Sequence, residues 1–179
     1  MITLALLFYQ WTRANHTYKV TVFLVALLFA WLGDVFLLFD SKFLFGLGAF
    51  LMMQMIYTSL FFQEPNYFGR RELLYGTSLI VAIASTLYFI GSTLGSLYLP
   101  VLIYSSAIGL MSLAAFSRDQ RGAGYRLVYL GTLLFIVSDA VLAINQFADS
   151  IPFGGIIVMS TYLTAQYLIS YGYASYLQK

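Results

Sequence analysis

Six stretches of about twenty residues run through this chain with almost no charge in them: Val20 to Phe39, Phe43 to Phe62, Leu73 to Gly91, Leu97 to Phe116, Leu127 to Phe147 and Ile151 to Leu177. Such a stretch, wound as an α-helix, is long enough to cross the ~30 Å hydrocarbon core of a bilayer. In lipid every backbone N–H and C=O must be satisfied within the segment, which a helix does and an open strand does not. The rest of the composition agrees, since 61% of the 179 residues are apolar and 9% are charged, against roughly 25% charged in a soluble globular chain. The sequence therefore predicts an all-α, polytopic membrane bundle of six full spans, forming a single transmembrane domain over residues 1–179.

The beginning of the chain is different. Ile2 to Trp11 is apolar for only half a span before the polar stretch Thr12 to Lys19, and it lacks the basic start and small-residue cleavage site of a signal peptide. It reads as a truncated helix, and an upstream segment is expected.

Placing the spans end to end sorts the loops onto two faces. Arg13, Lys19, Arg70, Arg71, Arg118, Arg121, Arg126 and Lys179 fall on one face, and Lys42 alone on the other. Cytoplasmic loops carry the excess of Lys and Arg, so the first face is expected to be cytoplasmic, with the C-terminus inside and a bacterial inner membrane as the location. Tyr9, Tyr18, Tyr67, Tyr125 and Tyr176 lie near span ends, as interfacial aromatic belts do. The small net charge of +2 follows from this sidedness, and no nucleic acid partner is expected.

Whole classes of chemistry drop out. No cysteine is present and His16 is the single histidine, which removes thiol nucleophiles, thiolate zinc sites, His-based metal clusters and a Ser-His-Asp triad. The string Gly91-Ser92-Thr93-Leu94-Gly95 has its serine one place early for a nucleophile elbow. No metal and no cofactor are expected.

Only Asp34 and Asp139, of the sixteen charged residues, lie inside spans. A carboxylate near the bilayer centre costs roughly 2.5–3.5 kcal/mol, so each should face the bundle interior and mark function. Their surroundings resemble one another: Gly33-Asp34-Val35-Phe36-Leu37 against Ser138-Asp139-Ala140-Val141-Leu142, followed by Phe45-Gly46 and Phe153-Gly154. A pair of spans thus recurs in the same orientation, which suggests a parallel pseudo-repeat. Counted at ~1.5 Å per residue from the outer span ends, Asp34, Asp139 and Tyr104 fall in one layer, with Gln54 and Tyr162 deeper. Gln166 lies one turn beyond Tyr162, and Asn145 two turns beyond Ser138. Together these residues predict a polar pocket in which the two carboxyls keep one proton between them. Such a pair suits a reaction through an oxocarbenium-like state, with one group delivering a proton and the other stabilising the cation or activating water.

At these positions the chain resembles the YhhN-like lysoplasmalogenase family. The likeness is carried by Gly33-Asp34-Val35-Phe36-Leu37, Phe43 through Gly46 to Ala49-Phe50, Tyr57, Tyr104, Met111, Phe135 with Ser138-Asp139 and Leu142-Ala143, and Thr161-Tyr162 with Ala165-Gln166. It implies eight spans in a full-length chain and a hydrolase that cleaves the vinyl ether bond of lysoplasmalogens, releasing a fatty aldehyde and glycerophosphoethanolamine or glycerophosphocholine. It also implies Asp34 and Asp139 as the acidic pair; Tyr57 of the likeness, with the pocket residues Gln54, Tyr104, Ser138, Asn145, Tyr162 and Gln166, makes up the expected substrate-contacting set. The partners so implied are a lysophospholipid substrate and the bilayer.

There is one departure. Where the family usually places a His in the helix after the first Asp, this chain reads Met53-Gln54-Met55-Ile56-Tyr57; Gln54 cannot titrate but can orient water or an ether oxygen through its amide. The headgroup phosphate has only Lys42 and Asn145 as candidates at the outer mouth. A solute or proton-coupled transporter and a non-enzymatic membrane protein stay open as alternatives. An intramembrane aspartyl protease does not fit, since Trp31 stands where its G-x-G-D signature needs glycine.

Overall fold

The computed structural model describes residues 18–148 and 150–178, with the backbone only at residue 40. The half-span Ile2 to Trp11, together with Tyr9, Arg13, His16 and Lys179, lies outside the described residues. Six α-helices follow one another: α1 Tyr18–Leu37, α2 Phe43–Phe62, α3 Arg70–Leu94, α4 Tyr98–Ser117, α5 Tyr125–Phe147 and α6 Gly154–Leu177, with short 3-10 turns at Asp40–Lys42 and Gly95–Leu97. Among the described residues there is no strand.

Four segments are long and apolar enough to cross a membrane: Tyr18–Leu37, Phe43–Phe62, Arg70–Ser117 and Tyr125–Phe147. With those segments, the protein is a multi-pass integral membrane protein. The third segment has 48 residues, about 72 Å of helix, more than twice the hydrocarbon thickness. It is in fact a hairpin. Gly95 takes φ 52°, a left-handed conformation that glycine adopts without a Cβ clash, and α4 returns along α3. Tyr75 near the start of α3 therefore stacks on Phe116 near the end of α4, ring centroids 4.2 Å apart, and shares a 2.7 Å hydrogen bond with Ser112. Pro100 sits in the first turn of α4, where its missing N–H has no partner to lose.

The last helix starts three residues later than the sequence suggested. Pro152 holds Ile151 out of the helical region, and Phe153 is forced to φ 60° before the helix opens at Gly154. α6 is 24 residues long, but with Ser160, Thr161, Thr164, Gln166 and Ser170 along it, it is not among the segments apolar enough to cross.

Half of the large apolar side chains on α3 point outward, including Leu73, Ile80, Tyr88 and Phe89. A soluble monomer rarely exposes such a surface, and here acyl chains cover it. The buried residues Leu79, Leu87, Ile90 and Leu94 form one stripe toward the bundle at helical spacing.

The described basic residues other than Lys42 gather at one end. Lys19 at the start of α1 pairs with Glu64 beyond α2 at 2.7 Å. Arg71 donates to the Tyr125 hydroxyl at 2.8 Å. The loop after α2 pairs with the loop after α4 through Tyr67 N–H to the Ser117 carbonyl and Asp119 N–H to the Pro65 carbonyl. Arg118 is buried among the rings of Phe61, Tyr173 and Tyr176. Burial pulls its guanidinium below the ordinary value, and the Glu64 carboxylate opposes that shift.

Without a hydrophobic force between helices in lipid, close packing of small residues holds the seams. A methyl group added at Gly131 would meet Ile169 Cγ1 at 2.7 Å and the Ala165 carbonyl at 2.9 Å on α6, whereas one added at Gly48 meets nothing within 4 Å. In thermal unfolding of the detergent-solubilised chain, Gly131→Ala is therefore expected to be destabilising by about 1–3 kcal/mol. Gly48→Ala should melt at or above the parent, by up to about 1 kcal/mol of helix propensity. Equal melting of the two variants would contradict the α5–α6 packing.

Candidate functional site

The half of the bundle toward the Lys42 end encloses a cavity of about 550 Å³ to which all six helices contribute. That size is typical of a site for a small organic ligand. Its walls are mostly apolar, with Trp31, Phe43, Leu47, Ile83, Ile108 and Met159 among them. Into this apolar space project both intramembrane acids.

Asp34 stands one turn before the end of α1. The residue before it is glycine because the ring of Phe50 on α2 occupies the place of a side chain: a Cβ at Gly33 would fall 2.7 Å from that ring. Asp139 stands in the middle of α5, and the residue before it, Ser138, donates to the Val158 carbonyl of α6 at 3.0 Å. In each hairpin, then, the small residue preceding the acid seats the next helix. Gly46 lies likewise against Leu37, and Gly154 against Asn145.

Each carboxylate has its own phenol. Tyr104 of α4 donates to Asp139 Oδ2 at 2.5 Å, and Tyr162 of α6 donates to Asp34 Oδ2 at 3.1 Å. The sequence count put Tyr162 deeper than Asp34. The late start of α6 at Gly154 brings Tyr162 to about 12 Å from the helix end, and its phenol bridges the rest. No Lys or Arg among the described residues forms an ion pair with either acid; the ion pairs there are Lys19–Glu64 and Arg71–Glu72. The floor under the carboxylates is aromatic. Phe50, Phe135 and Tyr162 pack edge to face, with centroids 5.6–6.4 Å apart, an arrangement worth roughly 0.5–1.5 kcal/mol per pair beyond area.

The remaining expected residues divide into two strata. Tyr104, Ser138, Asn145 and Tyr162 line the cavity with the two acids. Asn145 is committed to the loop as well, its Oδ1 accepting from Ile151 N–H at 2.7 Å. Lys42 is exposed, its ammonium 5.0 Å from the Phe45 ring centroid. Gln54, Tyr57 and Gln166 are not in the cavity wall; they are buried behind it. There Tyr57 donates to Gln166 Oε1, and Gln166 Nε2 donates to Met53 Sδ, both at 3.1 Å.

Sequence reasoning missed Gln146, a half-span-end neighbour of Asn145 that also reaches the cavity, and Thr86 and Ser105 on α3 and α4. Their signal was weak, because a hydroxyl on a helix can turn back to its own backbone. Among the described residues no three of His, Cys, Asp or Glu come together in a metal-binding group.

A model described as the YhhN family matches residues 1–173. Among curated proteins the chain is similar to lysoplasmalogenase TMEM86A of Bos taurus, 34% identical over 156 residues that make up 82% of this chain and 62% of that protein. TMEM86A of Homo sapiens is 32% identical over the same shares, and lysoplasmalogenase TMEM86B of Sus scrofa is 34% identical over 149 residues, 81% of this chain and 60% of its own. The chain thus spans about three-fifths of the length of these relatives. No solved structure matches it.

The two Tyr–Asp pairs involve four different side chains, which a double-mutant cycle on unfolding can read. Tyr104→Phe with Asp139→Asn is expected to show a coupling of about 0.6–1.7 kcal/mol, the range found for hydrogen bonds within membranes. Tyr104→Phe with Asp34→Asn is expected to be additive within about 0.5 kcal/mol. The reverse pattern would mean that the phenols are partnered differently.

Proposed function

The chain belongs to the YhhN family, and on that footing we propose that it is an integral membrane hydrolase that opens the vinyl ether bond of lysoplasmalogens. The reading rests on one observation above others: two carboxyl groups, each with a tyrosine donor, share an apolar cavity within the bundle. The names of the relatives, lysoplasmalogenases from three mammals, supply the substrate class. The products are a fatty aldehyde and glycerophosphoethanolamine or glycerophosphocholine.

A vinyl ether is electron-rich at the carbon β to oxygen, so a proton alone activates it, and acid–base chemistry suffices without a metal. One aspartic acid delivers the proton to that carbon. The second, as carboxylate, balances the oxocarbenium that forms at the carbon bonded to oxygen. Water adds there and gives up a proton to a carboxylate. The hemiacetal then breaks its bond to the glycerol oxygen, which takes the proton, and the aldehyde is released. Tyr104 and Tyr162 orient the two carboxyls. The apolar walls take the alkenyl chain, and the headgroup lies at the outer rim near Lys42.

The same reading extends the four apolar segments to six crossings, by counting the α3–α4 hairpin as two and α6 as one. The α1–α2 and α5–α6 hairpins, each with a small residue and an acid at the seam, are a parallel repeat. The basic end faces the cytoplasm, in a bacterial inner membrane, with the C-terminus inside.

The test is aldehyde release from a lysoplasmenyl lipid by the purified chain in lipid nanodiscs. Asp34→Asn and Asp139→Asn should each slow it by about 10²–10⁴-fold, the usual worth of an acid or base group. Undiminished turnover in either variant removes that residue from the mechanism. Solute accumulation in proteoliposomes with no aldehyde formed would favour a transporter instead.

A further inference from the structure

The two glutamine side chains behind the cavity are in opposite states. Gln166 has both amide atoms engaged, by Tyr57 and Met53. Gln54 is fully buried, and neither its Nε2 nor its Oε1 has a hydrogen-bond partner. Its backbone carbonyl is occupied by Thr58, but neither amide atom completes a hydrogen bond. Leaving such groups unmade is costly, and buried polar atoms without a protein partner are the usual seats of ordered water.

Position says what such a water would serve. Gln54 is one helical turn inward from Phe50 on the same face of α2, and Phe50 lines the cavity. The amide comes up to the Tyr104 hydroxyl without completing a hydrogen bond to it. That hydroxyl spends its proton on Asp139 and keeps lone pairs free to accept. A water beside the two groups donates to Gln54 Oε1 and to the Tyr104 oxygen, one step from the carboxyl.

We propose that Gln54 and Tyr104 hold an ordered water at the inner end of the cavity, and that this water is the one added to the substrate in the hydrolysis proposed above. The inference rests on that reading for its second half. It answers a difficulty of the chemistry: an alkenyl chain filling the apolar cavity displaces bulk water from the mouth, yet each turnover consumes one water molecule. The water adds through its oxygen to the oxocarbenium carbon, one of its protons passes to a carboxylate, and the hemiacetal results. Gln54 is thus a positioning residue, acting through the water it holds.

Two measurements test it. The first is a high-resolution structure of the full chain in nanodiscs: density for a water within hydrogen-bond distance of the Gln54 amide and the Tyr104 hydroxyl supports the site, and its absence overturns it. The second is product partition with methanol added. Methanol adding to the same oxocarbenium gives a mixed acetal in place of the aldehyde, and the acetal-to-aldehyde ratio does not depend on how much protein is folded. In Gln54→Met the ratio is expected to rise by about tenfold, the worth of one hydrogen bond, with KM little changed. Gln54→Glu, which keeps a hydrogen-bonding group, should stay near the parent ratio. A ratio unmoved in Gln54→Met would overturn the role of the water. If Gln54→Met does not fold, Gln54→Leu takes its place. If the parent chain releases no aldehyde, the hydrolase reading falls, and the water site still stands or falls by its density.

Discussion

A carboxyl group cannot face acyl chains, and this single cost organises the bundle. Asp34 and Asp139 must each find protein around them and a donor for their oxygens. The answer in this molecule is a shared cavity with one tyrosine for each acid. Much of the surrounding packing follows from it. Phe50 and Phe135 lock the ring of Tyr162 edge to face. Gly33 gives up its side chain so that Phe50 can reach the floor. Ser138 satisfies its hydroxyl on the neighbouring helix rather than in the cavity, leaving the space beside Asp139 to the phenol.

The positions of the helices were legible because hydrocarbon thickness leaves little choice. Phe43 to Phe62 was bounded correctly at both ends, and α5 ends at Phe147 as expected. α6 was placed too early, because the hydropathy of Ile151, Pro152 and Phe153 says nothing of the turn that proline and a left-handed phenylalanine impose there. The acids were legible for the opposite reason to the helices: they violate the apolar rule, and violations at depth are costly enough to be informative.

Partners were much harder to read. Counting residues put Tyr104 in one layer with both acids without choosing between them, and it did not pair Tyr162 with Asp34, since a phenol reaches more than one helical turn from its backbone and can cross between layers. Gln54 was grouped with the pocket on depth, Gln166 on its turn beyond Tyr162 and Tyr57 through the family likeness, and all three lie behind its wall. Arg118 reads in sequence as a loop charge that sets topology, yet it is buried against three aromatic rings. Which way a side chain leaves a helix end is decided by neighbours that are distant in sequence.

The account comes down to one of the two cavity acids being protonated while the other is a carboxylate, and infrared spectroscopy counts that proton directly. At neutral pH the parent chain should show the carbonyl stretch of one protonated carboxylic acid, shifted by deuterium exchange and absent from the Asp34→Asn, Asp139→Asn double variant. A parent spectrum with ionised carboxylates only, or a protonated band that survives in the double variant, would contradict it.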